Sequence, residues 1–112
     1  MSRNPSFSEL RALLDEVARR YEKARAGYEF DFDEEIEPFL KGNEETVMSI
    51  RNMKTDFRFN AATRKKAEEE FMELLMACHM RRFSKKVYRE KYKFLNMWLA
   101  HAEREALFGC GH

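Results

Sequence analysis

Between residues 7 and 28, apolar side chains fall at Phe7, Leu10, Leu14, Val17, Tyr21, Ala24 and Tyr28. The steps between them are 3, 4, 3, 4, 3 and 4. Such a run places one apolar seam along one side of a helix, and the seam must be buried against other helices. Ser6-Phe7-Ser8-Glu9 precedes it and matches the Ser-x-x-Glu capping box, in which two side chains satisfy two orphan backbone donors. Gly27 is a stop signal, because glycine tolerates the left-handed turn that ends many helices. The spacing predicts a helix over 6–26.

The rest of the chain continues in the same manner. In YEFDFDEEIEPFLKGN, residues 28–43, six acids occupy positions 29 to 37, and Phe30 and Phe32 alternate with Asp31 and Asp33. Ile36, Phe39 and Leu40 step as one helical turn, while Pro38 lacks a donor and disfavours helical geometry at Glu37. A short or kinked helical piece over 33–41 is expected, ended by Lys41-Gly42. Asn43 then caps a helix over 43–57, with Glu44 and Glu45 near its positive end. Val47, Ile50 and Phe57 lie on its apolar face, with Met53 beside them. Asn60 caps a helix over 61–81 that buries Ala67, Phe71, Leu74, Leu75 and Cys78. Ser84 caps the last helix, over 84–107, with Phe83 and Tyr88 at the two positions of a hydrophobic staple. Val87, Lys91, Phe94, Trp98 and His101 share one stripe of that helix. Tyr88, Leu95, Leu99 and Ala102 share the next. Residues 108–112 form a tail. Mostly short links between such helices predict an all-α, up-and-down four-helix bundle, its helices crossing at about 20°. A chain of 112 residues suits one domain of this kind.

Charge divides the chain into two poles. Residues 1 to 50 hold 7 Lys/Arg and 12 Asp/Glu, net −5; residues 51 to 112 hold 14 and 8, net +6. A whole-chain charge of +1 is not that of a protein drawn to nucleic acid by bulk charge. The first twenty residues show no apolar stretch of the secretory type, and no run approaches the ~18 apolar residues of a membrane span. Cys78 and Cys110 are the only cysteines, which is not a disulfide framework. A soluble, cytoplasmic protein is expected, as monomer or homodimer.

Two segments carry a family resemblance. FDFDEEIEPFLKGNEETV (30–47) has an aromatic-acidic stretch, then the turn Ile36-Glu37-Pro38, then the polar helix start Asn43-Glu44-Glu45. EEEFMELLMACHMRRFSKKVYRE (68–90) has Phe71-Met72-Glu73-Leu74-Leu75 leading to Arg81-Arg82-Phe83 and the last helix. In pattern and order over residues 7 to 107, the chain resembles the YppE-like family of small proteins from Gram-positive bacteria. The resemblance implies a four-helix bundle. It implies no active site, since that family's function is uncharacterised, and the GCGH tail lies outside it.

Catalytic and metal-binding patterns are sparse. A di-iron bundle needs Glu-x-x-His on two helices, but Met76 precedes His79 and Trp98 precedes His101 at that spacing. His101, on an apolar stripe, is expected to hold a structural hydrogen bond to backbone or carboxylate. Cys78 and His79 are neighbours, and adjacent helical residues point about 100° apart; Cys78 is expected to act as a small hydrophobe. No Gly-rich phosphate loop or G-x-S-x-G elbow is present. No catalytic residue, metal or cofactor is therefore expected. His79, His101 and Cys78 are the groups an enzyme would have to use. The expected function is a non-enzymatic module that binds another macromolecule, a cytosolic protein in first place. Its candidate contact residues are Phe30, Asp31, Phe32, Asp33 and Glu34 in the acidic connection, and Arg81, Arg82, Lys85, Lys86 and Arg89 in the basic stretch RRFSKKVYREKYKF. Weak phosphate or nucleic-acid binding by that stretch is the alternative, and an enzyme or metal-binding bundle the second. The bland reading of both clusters is two solvated faces, because exposed ion pairs contribute only ~0–1 kcal/mol each.

Overall fold

The computed structural model describes residues 7–105, and every regular element in that span is helical. Helix α1 runs Phe7–Arg25, α2 Glu37–Met48, α3 Ala61–Ala77 and α4 Lys85–Arg104. A π-helical turn, Phe32–Ile36, leads into α2, and a 3-10 turn, Ser49–Asn52, follows it. Among the described residues no helix is long and apolar enough to cross a membrane.

The seam of α1 is buried at Leu10, Leu14, Val17, Tyr21 and Ala24, joined by Leu13. Tyr28 does not belong to it: it lies beyond the helix and is 39% exposed. Gly27, at φ +110°, ends α1. Its N–H reaches the carbonyl of Ala24 at 3.0 Å, and the Tyr28 N–H reaches that of Lys23 at 3.1 Å. These two bonds are the Schellman pair, and the left-handed glycine makes them possible. Ser6 of the capping box lies outside the described residues.

The second helix differs from the sequence expectation. No break occurs at Gly42-Asn43: α2 starts at Glu37 and passes through both. Glu37 itself is helical, at φ −61° and ψ −45°. Pro38 occupies the first turn of α2, where its missing N–H removes no helical bond. Asn43 is not a cap; its Nδ2 donates to the Phe39 carbonyl one turn back, at 2.8 Å. The helix ends at Met48 and the 3-10 turn at Asn52, rather than at 57. This reassigns an aromatic residue. Phe57 is 98% exposed, and Phe59 is in the core at 1%. The Asp56 carboxylate accepts from the N–H groups of Arg58 and Phe59, and that turn swings Phe59 inward.

Asn60 caps α3 as expected, its side chain accepting from the Thr63 N–H. The helix stops at Ala77 instead of 81 because bonds from His79 to Met76 and from Met80 to Ala77 tighten its last turn. Ser84 caps α4, accepting from Val87 N–H at 3.3 Å. Of the expected stripe on α4, Trp98 is buried with Tyr88, Leu95, Leu99 and Ala102. Val87 is exposed, and Lys91, Phe94 and His101 are half-buried.

Cross-helix contacts fix the directions. Lys91 pairs with Glu70 and Glu73, Lys66 lies over the Phe94 ring, and Trp98 packs on Phe59. As the α4 number rises the partner's falls, so α3 and α4 are antiparallel. Arg11 with Asn96 and Tyr21 with Tyr88 show the same for α1 and α4. Phe39 meets His79 at one end of α3, and Arg51 meets Glu68 towards the other, so α2 also opposes α3. The described residues form a four-helix bundle with alternating directions, closed on one core that includes Phe59, Phe71, Ile50 and Leu95.

Candidate functional site

Two places gather polar chemistry. The first is the C-terminal end of α3. Arg20 on α1 forms its hub. The guanidinium stacks over the Phe39 ring at 4.1 Å and lies 5.6 Å from the Phe30 ring. Its Nε donates to Glu16 at 2.8 Å, and its Nη1 reaches His79 Nε2 at 2.9 Å and the Glu35 carbonyl at 3.4 Å. The bundle therefore makes His79 a core residue, 6% exposed, with Phe30 and Phe39 edge-on to its ring. An arginine is always a donor, so Nε2 must accept and the proton sits on Nδ1. Burial, then the Arg20 charge, holds the His79 pKa below its ordinary value. Nδ1 lies 3.7 Å from Cys78 Sγ. Burial pushes the Cys78 thiol up to about 12, so it carries no thiolate at neutral pH. The pair thus lacks the activated nucleophile that thiol chemistry requires.

This hub fastens the acidic connection. The Tyr28 hydroxyl donates to Glu35 at 2.5 Å, and Glu35 also accepts from the Asp31 N–H. Those bonds, the tyrosine's first, lower the Glu35 pKa. Asp31 caps the π turn through the Glu34 N–H. Of the five candidates here, Phe30 is half-buried against His79 and Asp31 is spent on the cap. Phe32, at 49% exposure, Asp33 and Glu34 face outward.

The second place lies between α1 and α4, and only part of it was legible in the basic stretch. Ala18, Tyr21, Glu22 and Arg25 descend one face of α1, and Lys85, Tyr88, Arg89 and Tyr92 descend the facing side of α4. Both sets step by 3, 1 and 3, the interval that keeps side chains on one face. They line a groove of about 660 Å³. Its floor is aromatic: the Tyr21 and Tyr88 rings stack in parallel with centroids 3.7 Å apart, and Tyr92 tilts against Tyr88 at 5.8 Å. Its walls carry Arg25, Lys85 and Arg89 against the single acid Glu22. None of these four makes an ion pair among the described residues. Tyr21 is 5% exposed, and its hydroxyl has no hydrogen-bond partner there.

Of the basic candidates, Lys85 and Arg89 enter the groove, while Arg81, Arg82 and Lys86 are exposed elsewhere. No ion pair among the described residues joins the 29–37 cluster to the 81–89 cluster. His101 has a carboxylate partner, Asp56 Oδ2 at 2.9 Å. No cluster of three or more His, Cys, Asp or Glu suited to a metal occurs among the described residues. Cys110 and His112 lie outside them.

The architecture defines this chain as a four-helix bundle with an aromatic, cationic groove on one side. No family model, curated protein or solved structure matches the chain.

Proposed function

We propose that this chain is a non-enzymatic protein-binding module that takes an acidic, extended or helical segment of a partner protein into the α1–α4 groove. It extends the expectation of a cytosolic, YppE-like binding bundle. The observation that supports it most is the groove itself: cationic walls, with no ion pair among the described residues, above a tyrosine floor. Cations above aromatic rings suit carboxylates and aromatic or aliphatic side chains in alternation. Lys85 and Arg89 remain from the sequence-level candidates; Arg25, Tyr21 and Tyr92 join them.

The test is fluorescence anisotropy with a labelled peptide of alternating Glu and Phe, against its Lys-for-Glu counterpart. The acidic peptide should bind and the basic one should not. Replacing Arg25, Lys85 and Arg89 together by Glu should abolish the binding without changing the helical spectrum. Equal affinity for both peptides, or binding that survives the triple replacement, would overturn the proposal. So would submicromolar affinity for single-stranded RNA or duplex DNA at physiological salt that the triple replacement removes.

A further inference from the structure

A second cleft lies on the other side of α4 and does not depend on the groove. It has a volume of about 460 Å³, within the range of small-molecule sites. Phe59, Phe94, Met97, Trp98 and Ala100 give it apolar walls. Met97 is 61% exposed at its edge. Its polar lining side chains are Arg58, Thr63, Trp98, His101 and Arg104. Arg58 and Arg104 bring two guanidinium groups, and the lining holds no carboxylate. Arg58 makes no ion pair among the described residues, and the one ion pair of Arg104 there is with Glu105, at 3.5 Å. His101 is committed on both nitrogens, Nε2 to Asp56 and Nδ1 to Arg104 at 3.2 Å. Trp98, only 5% exposed, has an indole Nε1 with no partner among the described residues.

A buried donor without an acceptor is costly, and native interiors rarely keep one. Here it belongs to a residue that also lines an open apolar cleft edged by arginine. We infer that this cleft is a binding site for a small amphiphilic carboxylate of the medium-chain fatty-acid type. The chain covers Phe59, Phe94 and Met97. The acceptor-only head group takes the Arg58 and Arg104 donors. A neutral alcohol satisfies fewer of these donors, and an amine satisfies none of them as an acceptor while adding a like charge.

Trp98 is the only tryptophan, so its emission reports on the cleft directly. The purified chain is titrated with monomeric decanoate, decanol and decylamine. Decanoate should give a saturable change with half-saturation below ~1 mM, about tenfold tighter than decanol, as charge-assisted hydrogen bonds require. Replacing Arg58 and Arg104 together by Ala should erase that preference and leave decanol binding as it was. Both arginines are exposed, so the melt should change little. The inference fails if decanoate gives no saturable change, if decanol or decylamine binds as well, or if the double replacement leaves the preference intact. It fails too if the emission responds only to phosphatidylglycerol vesicles and not to free decanoate. Groove binding of acidic peptide is a separate readout, so either site can fail alone.

Discussion

Single residues divide into those that fill the core and those that leave a polar atom unmatched within it. Trp98 does both. Its ring packs on Phe59 at 5.2 Å, so Trp98→Ala is expected to cost about 3–5 kcal/mol in a urea or guanidinium melt. Tyr21 presents the opposite case. Its hydroxyl is buried without a partner, while its ring stacks on Tyr88. Tyr21→Phe keeps the stack and deletes only the orphan oxygen, so stability should hold or rise by up to about 1 kcal/mol. A loss of stability above 1 kcal/mol would mean that the hydroxyl has a partner, such as an ordered water. Both residues were legible as seam members from their spacing. That their polar atoms stay unpaired was not, since a helical wheel assigns faces and not partners.

Elements are decided at their ends. Gly27 and Gly42 look alike in sequence but behave oppositely. An added methyl would meet nothing within 4 Å at either site, so backbone alone decides. Gly27 sits at φ +110°, and Gly27→Ala should cost roughly 1–2 kcal/mol. Gly42 lies inside α2, and Gly42→Ala should add up to about 1 kcal/mol to stability. Thermal melts of the two variants should shift in opposite directions. The link between α1 and α2 has its own sensitivity. Neutral His79 accepts from Arg20, with Glu16, Glu35, Tyr28 and Cys78 around the pair. A histidine whose folded pKa is depressed binds its proton more readily in the unfolded chain. Stability is therefore complete above the unfolded value of about 6.5 and falls as pH drops through it towards the lowered value. His79→Gln keeps an acceptor and removes the titration. The wild-type melt should decline between pH 7 and pH 5 more than that of the variant; parallel curves would show that His79 does not titrate with folding.

At the scale of the whole molecule, no ion pair among the described residues ties the acidic 29–37 cluster to the basic 81–89 cluster. The acidic connection spends part of its charge on its own caps, and the cations of the groove stay available. A polyanion approaching the groove also meets the acidic first half, so duplex DNA should bind negligibly at 150 mM salt. Any binding at low salt should fall steeply as salt rises, because each neutralised phosphate releases condensed counterion. Anisotropy across a salt series reads this directly, and a flat response would show contacts other than phosphate.

The sequence alone determined the four helices, their caps at Asn60 and Ser84, and most of the core. Those features depend on neighbours three or four residues apart, which periodicity reports faithfully. It misjudged α2, because Pro38 and Gly42-Asn43 carry break signals that a first-turn position and an i to i−4 side-chain bond absorb. It misjudged Phe57 for Phe59, because a turn held by Asp56 replaces helical spacing there. Only the tertiary structure could bring Arg20 to His79, 59 positions apart, or set Tyr21 and Arg25 opposite Lys85 and Arg89. Local pattern decides which face of a helix is buried. Which two faces meet is decided by packing the whole core at once, and the groove and the cleft exist only where those faces part.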